Sequence, residues 1–174
     1  MRKFLFSTLL LLSFATAFAQ TTSELRSPGY KGSVSLLYHG LPCVGVETSH
    51  GVMLNTHHYL GAGGGFFVFP DGKGYPSFAE AFLDYRAFIL KRGSTPIAGV
   101  KVGYLRSLWE EARGYTNGYN FKQGLSIQPE IGWSWALGPK YGLSLSAGAN
   151  LIFPMEKHNK PLFVAPRAAI TFEF

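Results

Sequence analysis

Residues 124–137 read GLSIQPEIGWSWAL, and their side chains alternate in character with a period of two. One parity holds the large apolar side chains Leu125, Ile127, Pro129, Ile131, Trp133, Trp135 and Leu137. The other parity holds small or polar residues, including Ser126, Gln128, Glu130 and Ser134. Because successive side chains of a β-strand point to opposite faces, this segment predicts a strand with one apolar face and one small or polar face.

The same alternation recurs along the chain in segments of roughly ten residues, the length that a tilted strand needs to cross a bilayer. The predicted strands are 30–39, 44–53, 59–69, 81–92, 97–108, 124–137, 142–153 and 162–174. Tight turns at 55–58, 93–96 and 138–141 alternate with outer links at 40–43, 70–80, 109–122 and 154–161. This alternation of turns and links is typical of membrane barrels, so we predict an all-β fold, an eight-stranded antiparallel up-and-down transmembrane β-barrel.

Composition indicates which face meets the surroundings. Charged residues make up 15% of the chain, whereas soluble surfaces are rich in Lys and Glu. The polar parity is mostly Gly, Ser and Ala, which suits the narrow interior of a small barrel, so we predict that the apolar parity faces lipid. A soluble periplasmic lipocalin-like carrier shares the period and stays as an alternative. The 47% hydrophobic content excludes disorder, and the absence of a basic run gives no support for binding nucleic acid.

The first 19 residues predict a secretory signal peptide. Arg2 and Lys3 precede an apolar run, and Ala17-Phe18-Ala19 supplies small residues before a cleavage site. The run is shorter than the roughly 20 apolar residues of a membrane-spanning helix. We therefore expect a cleaved signal peptide at 1–19, a short periplasmic segment at 20–29 and the barrel at 30–174, with a net charge of +4 after cleavage.

Ionisable residues also occur on the predicted inner face. They are Glu47, Asp84, Arg86, Lys101, Glu130 and Arg167, three acidic and three basic. Since charges in a cramped interior are costly unless paired, we predict a balanced ion-pair network that plugs the lumen. A proton or ion path is the alternative, because charges within a membrane often mark function. Pro129 and Pro166 cannot donate to a strand ladder, so we expect a bulge or a lost hydrogen bond at each.

Several short pieces carry a family resemblance: 29–32 (GYKG), 48–51 (TSHG), 59–65 (YLGAGGG), 102–104 (VGY), 127–132 (IQPEIG) and 170–174 (ITFEF). In these pieces the chain resembles small outer-membrane barrels of Bacteroidota, similar in plan to outer membrane protein X and the barrel of outer membrane protein A. The resemblance implies an integral outer-membrane location in contact with outer-membrane lipid. The terminal Ile170, Phe172 and Phe174 resemble the signal read by the barrel-assembly machinery.

Catalytic and ligand-binding motifs are sparse. The sequence has no Gly-x-Ser-x-Gly, no His-Glu-x-x-His and no phosphate-binding glycine loop before a helix, so we expect no catalysis, cofactor or metal. Glu47, Ser49 and His50 form a nearby Ser/His/Glu trio, but adjacent strand residues point to opposite faces. A lipid-modifying enzyme therefore stays the runner-up function.

The outer link 109–122 is the candidate contact surface. Its proposed contact residues are Trp109, Glu110, Glu111, Arg113, Tyr115, Asn117 and Tyr119. Tyrosine and asparagine are adaptable contact residues. We therefore predict a structural or surface-interaction role, such as adhesion to a surface partner through the outer loops, with an ordinary solvated loop as the alternative.

Overall fold

The structure, a computed structural model, describes residues 26–40, 43–68, 77–108, 122–138, 140–155 and 162–174. Its strands are β1 (Gly29–His39), β2 (Val44–Met53), β3 (His58–Val68), β4 (Phe78–Phe88), β5 (Ser94–Ser107), β6 (Gln123–Ala136), β7 (Gly142–Pro154) and β8 (Phe163–Glu173). They form a closed barrel in chain order, and β1 pairs antiparallel with both β2 and β8. The predicted fold is confirmed. Among the residues described, no helix is long and apolar enough to cross a membrane.

The boundaries of β4 differ most from the prediction. The strand covers Phe78–Phe88 rather than 81–92, so residues 78–80 belong to a strand and not to the preceding link. The predicted turn at 93–96 is also wrong, because the chain turns through 89–93 and β5 begins at Ser94. In this turn the Leu90 amide donates to Thr95 Oγ1 and the Ile89 amide donates to the Pro96 carbonyl. Alternation alone does not show where a strand stops, because the pattern continues into the turn.

The two ends of the barrel carry different connections. We call the end with residues 54–57, 89–93, 137–138 and 140–141 and the start of β1 the turn end, and the opposite end the loop end. At the loop end, β1 and β2 are joined through Gly40, which has a φ of +52°. Glycine adopts this left-handed conformation without steric cost, and it lets the Cys43 amide donate to the Gly40 carbonyl.

The apolar parity lies on the outside of the barrel. Ile131 is 71% exposed, Leu145 45% and Phe172 44%, although each is a large hydrophobic side chain. A soluble barrel would bury such side chains in its centre, since water disfavours a continuous apolar surface. The facing is therefore the one expected of a barrel surrounded by lipid.

The two prolines leave the strand register unchanged. The β6–β7 ladder lacks its pairs at Gln128 and Pro129, yet Ile127↔Leu151 and Glu130↔Gly148 keep the same register on either side. The structure therefore has an interrupted ladder rather than a bulge, since a bulge would shift the register by one residue. Pro166 lies one residue beyond the last β1–β8 pair, His39↔Arg167, and it stays in register with β7.

Large apolar side chains close the interior at both ends, although the alternation pattern predicts mainly small and polar residues on this face. At the loop end the cluster comprises Leu37, Cys43, Phe67, Phe78, Leu105, Ile152 and Ala169, and at the turn end it comprises Met53, Tyr59, Phe88 and Ile97. Inward glycines provide the space: a Cβ at Gly45 would overlap the Phe67 ring, and one at Gly63 would overlap the Phe82 ring. Ring-over-glycine packing of this kind supports curved sheets.

Candidate functional site: the charged interior

The six ionisable residues assigned to the inner face are all buried inside the barrel. Arg167 Nη2 lies 2.9 Å from Glu47 Oε1, and its Nη1 donates to Glu130. Lys101 also pairs with Glu47, so these four residues form one continuous chain of ion pairs. Arg86 Nη2 lies 2.8 Å from Asp84 Oδ2 in a separate pair on β4. The strands β2, β5, β6 and β8 position the first group because their inward parities meet near the middle of the barrel.

A second group lies nearer the turn end and was not among the predicted site residues. Lys31 Nζ is 3.6 Å from Glu173 Oε2, and Arg86 Nη1 is 3.9 Å from Glu173 Oε1. Ser144 Oγ donates to Glu173 at 2.7 Å. Both Lys31 and Glu173 have inward parity, so alternation was the signal that could have found them. Their proximity to each other, however, depends on the closure of β1 against β8.

Arg26 closes the mouth of the barrel at the turn end. Its Nη1 donates to the Arg92 carbonyl at 2.8 Å and its Nη2 to Ser134 Oγ at 2.8 Å. The guanidinium lies 4.6 Å from the centroid of the Phe88 ring, within cation–π range. Burial lowers the pKa of the Arg26 side chain from its ordinary value. The segment preceding β1, expected only as a short periplasmic stretch, therefore contributes a side chain to the plug.

Glu80 is a further interior carboxylate. It was not predicted on the inner face because the predicted β4 began at residue 81, which left Glu80 in the preceding link. Glu80 is 5% exposed, and Gln128 Nε2 donates to both of its oxygens, at 2.7 and 2.9 Å. Ser126 Oγ donates to it as well. Three neutral donor contacts thus reach a carboxylate that has no cation within ion-pair distance in the described part of the chain.

The interior charges balance in the part of the chain that the structure describes. The acidic residues are Glu47, Glu80, Asp84, Glu130 and Glu173, and the basic residues are Arg26, Lys31, Arg86, Lys101 and Arg167. Two interior cavities lined by described residues measure about 10 Å³ beside Arg86 and Tyr59 and about 20 Å³ beside His39 and Asn150. Since one water molecule needs roughly 10–15 Å³, neither cavity accommodates a small-molecule ligand.

Ser49 and His50 lie on opposite faces of β2. Ser49 Oγ is buried and lies 2.9 Å from the Tyr59 hydroxyl. His50 is on the outside, where its Nδ1 is 2.6 Å from the Tyr30 hydroxyl and its Nε2 is 3.0 Å from Thr48 Oγ1. The trio noted in the sequence is therefore not assembled in the structure.

The two adjacent histidines at the turn end each contact a different group. His57 Nδ1 is 2.7 Å from the Phe88 carbonyl oxygen, and His58 Nδ1 is 2.9 Å from the Tyr85 hydroxyl. No group of three or more His, Cys, Asp or Glu side chains suited to a metal occurs within the described ranges.

Aromatic rings form a belt on the outside of the turn end. Tyr141 stacks on Phe172 at 6.0 Å between centroids, and Phe172 stacks on Phe174 at 6.4 Å. His50 continues the belt at 6.2 Å from Phe174 and at 6.2 Å from Tyr30. Such amphipathic rings favour the level of lipid headgroups. The assembly-signal candidates Ile170, Phe172 and Phe174 all point outwards on β8.

Two sets of predicted residues lie outside the described residues. One is the signal peptide at 1–19 with residues 20–25, and the other is the set of outer-loop contact candidates from Trp109 to Tyr119. Their functions stay as predictions from the sequence.

No protein-family model and no curated protein matches the sequence. Solved structures do match the fold. The N-terminal β-barrel domain of Pseudomonas aeruginosa OprF aligns with a TM-score of 0.55 and 11% identity over 83% of this chain and 96% of that chain. The outer-membrane enzyme PagL aligns with a TM-score of 0.53 and 8% identity over 83% and 98%. Neisserial surface protein A aligns with a TM-score of 0.51 and 11% identity over 83% and 91%. The chain therefore has the fold of small eight-stranded outer-membrane β-barrels.

Proposed function

We propose that this protein is an integral outer-membrane β-barrel with a plugged interior and a structural or surface-interaction role through its outer loops. The observation that carries the proposal is the facing of the sheet, with large apolar side chains outside and balanced charges inside. Lipid tolerates the first surface and not the second, so the barrel is stable in a bilayer and has no surface suited to water along its strands.

The closed interior supports a role outside transport. Apolar clusters lie at both ends of the lumen, and the ion pairs of Arg167 and Arg86 cross the space between them. An interaction role therefore depends on the exterior surface and the loops. The link 109–122, with its tyrosines and Asn117, is the segment that we propose contacts a surface partner.

The proposal also assigns a route to the membrane. A signal peptide at 1–19 would direct export, and the outward Ile170, Phe172 and Phe174 would present a terminal pattern to the barrel-assembly machinery. The orientation follows from this route, with the turn end in the periplasm and the loop end at the cell surface.

Fractionation combined with gel mobility tests the proposal. We expect the protein in the outer-membrane fraction, with a faster band before boiling than after it, because the closed barrel resists dodecyl sulfate. Deletion of residues 110–119 should retain this shift and abolish capture of a surface partner in a pull-down. Recovery of the mature chain from the periplasm without detergent would contradict the membrane assignment.

A second candidate function is modification of membrane lipids, and one exterior contact favours it. Thr48 Oγ1, His50 and the Tyr30 hydroxyl form a hydroxyl–imidazole–phenol chain on the surface facing lipid. A histidine beside a hydroxyl can act as a general base towards an ester. We rank lipid modification second because Thr48 Oγ1 donates its one hydrogen to the Ser33 carbonyl, at 3.1 Å. That hydrogen is therefore not directed at His50.

Ester hydrolysis in mixed micelles distinguishes the two functions. The leading proposal predicts no turnover of phospholipid or lipid A esters above a boiled control. Turnover that His50→Gln abolishes, while His58→Gln leaves it unchanged, would establish the second function. Both variants should retain the heat-modifiable gel shift, which shows that the barrel has folded.

A further inference from the structure

The outer surface of the described part of the chain carries no acidic side chain. Every described Asp and Glu is buried in the interior, where basic residues balance them. The exposed cations lie at the two rims of the barrel. Lys91, Arg92 and Lys140 are at the turn end, and Arg106 and Lys122 are at the loop end. The turn end therefore presents a positive rim, which complements an anionic surface.

The turns of this rim also expose apolar side chains. Leu54, Ile89, Leu137 and Tyr141 lie in or beside the turns and are each more than 40% exposed. Apolar side chains beside cations are suited to the boundary between acyl chains and phosphate groups. A surface that faces water would instead carry a mixture of positive and negative charges.

An apolar groove of about 650 Å³ crosses the outside of β6, β7, β8 and β1. Ala147 and Ala168 are partners in register and form its floor. Ile131 is the partner of Ala147, and Tyr38 is the partner of Ala168, so a bulky side chain lies on each side of the alanine pair. The groove is thus a depression in the surface facing lipid, made by two adjacent small residues among large ones.

The groove extends towards the positive rim. Along β6 it runs from Ile131 past Trp133 to Trp135, a distance of about 13 Å at roughly 3.3 Å per residue. At a strand tilt of roughly 40° this length spans about 10 Å along the bilayer normal, about two-thirds of the roughly 15 Å that one leaflet contributes to the hydrocarbon core. Strand β6 ends at Ala136, and Lys140 follows in the turn to β7.

We propose that the groove and the turn-end cations together bind one anionic phospholipid. An acyl chain lies over Ala147 and Ala168, Trp135 lies at the level of the headgroup, and Lys140 contacts the phosphate. The inference rests on the proposed membrane function, because a lipid reaches the groove only when the barrel is inserted in a bilayer.

Tryptophan quenching by brominated lipid tests the site. Trp109→Phe leaves Trp133 and Trp135 as the tryptophans of the chain, and both line the groove. This protein is inserted into equimolar phosphatidylglycerol and phosphatidylcholine vesicles in which one or the other lipid carries bromine on its acyl chains. We expect brominated phosphatidylglycerol to quench more strongly, with an enrichment of up to about fivefold for one nearby basic residue.

Two variants separate the headgroup contact from the acyl contact. Lys140→Gln should reduce the preference for phosphatidylglycerol towards equality. Ala147→Leu with Ala168→Leu should weaken quenching by both brominated lipids, because the added side chains fill the floor of the groove. Arg106→Gln, an exposed cation at the loop end, and Ala62→Leu, an outward alanine on β3, are the matched controls and should leave the quenching unchanged.

The outcomes distinguish this inference from the proposed function. An inserted, heat-modifiable barrel that both lipids quench equally, and that Lys140→Gln does not alter, overturns the lipid site alone. A chain that never inserts into vesicles overturns the membrane function and the lipid site with it.

Discussion

Arg167 links two of the carboxylates that were predicted on the inner face. Its guanidinium contacts both Glu47 and Glu130, and it is completely shielded from solvent. Removing one member of a buried ion pair leaves the other charge buried without a partner. This destabilises a protein more than replacing both members with apolar side chains. The effect of a substitution here is therefore dominated by the carboxylates that remain.

We expect Arg167→Met to lower the free energy of unfolding by about 3–5 kcal/mol, because Glu47 and Glu130 lose their shared cation. Urea unfolding in vesicles, followed by tryptophan fluorescence, measures the change. Adding Glu130→Gln should restore part of the loss, since it removes one stranded charge. Arg106→Met, at an exposed exterior position, should stay within about 0.5 kcal/mol. A stability of Arg167→Met equal to that of the parent would contradict a structural role for the network.

Cys43 provides a residue-scale probe of the loop end. The residue lies outside the strands, is 3% exposed, and burial raises the pKa of its thiol to about 12. Because the thiolate is the reactive form and its pKa rises from 9.0 to about 12, we expect alkylation at pH 8 to be about a thousandfold slower in the folded protein than in the unfolded one. Mass spectrometry of iodoacetamide-treated samples measures both rates.

The same thiol gives a stability change of known sign. The unfolded thiol titrates near its ordinary value of 9.0 and the folded thiol near 12, so the unfolded state alone releases the proton between these values. Rising pH therefore favours unfolding across this window, and Cys43→Ser should diminish that dependence. Equal alkylation rates for folded and unfolded samples would show that Cys43 is not enclosed.

At the scale of the strands, glycines permit the close approach of neighbouring backbones. A Cβ at Gly148 on β7 would overlap the Pro129 carbonyl oxygen of β6. The β6–β7 ladder is interrupted beside this position, where Pro129 has no amide hydrogen to donate. A steric overlap here would therefore further weaken a pairing that already lacks hydrogen bonds. Backbone atoms cannot move aside as a flexible side chain can.

Gly148→Ala should therefore destabilise the barrel by about 1–3 kcal/mol, the usual cost of overpacking. Gly138→Ala is the matched control, because a Cβ at Gly138 would meet no atom within 4 Å. The midpoint of urea unfolding compares the two variants. A Gly148→Ala midpoint equal to that of Gly138→Ala would show that β6 and β7 can separate without loss.

The seam between β1 and β8 depends on the terminal aromatic residue. The Gly32 amide donates to the Phe174 carbonyl at 2.7 Å, the Phe174 amide donates back at 2.9 Å, and the Phe174 ring covers Gly32. We expect Phe174→Ala to reduce the folded, heat-modifiable fraction in cells severalfold, since it weakens both the seam and the proposed assembly signal. Phe153→Ala, an outward ring on β7, should have little effect. Equal folded fractions for both variants would remove any special role for Phe174.

At the scale of the whole molecule, the interior is arranged as a charged layer between two apolar layers. The apolar clusters lie at the loop end and the turn end, and Arg26 adds a cation over Phe88 at the turn-end mouth. Water and ions would have to cross all three layers to pass through the barrel.

We expect the protein to form no stable conductance steps in planar bilayers. We expect more frequent brief openings in a variant that carries both Phe88→Ala and Arg26→Ala. The first change removes a ring at the turn-end mouth of the barrel, and the second removes the cation that lies over that ring. Insertion is verified by the heat-modifiable band of protein recovered from the same vesicles. Stable, well-defined channels of the unmodified protein would favour the ion path over the plug.

Much of the architecture could be predicted because alternation is local. The parity of Leu125, Ile131 and Leu145 follows from neighbours two residues away, and it placed each correctly on the exterior. Parity also placed Glu47 and Arg167 on the inner face. It failed at β4, where Glu80 was assigned to a link, because a period of two carries no signal for the end of a strand.

The fold class, the number of strands and which face of each strand lies on the exterior could all be predicted from the sequence, since these depend on residues close together in the chain. Which charges pair, by contrast, depends on how the strands come together in three dimensions. Glu47 and Arg167 are separated by 120 positions, and they pair because closure of β8 against β1 brings both strands around one narrow axis. The packing of large rings beside glycines in the interior also depends on barrel closure. The space for the Phe67 ring and for the Phe82 ring is made in each case by a glycine on a neighbouring strand.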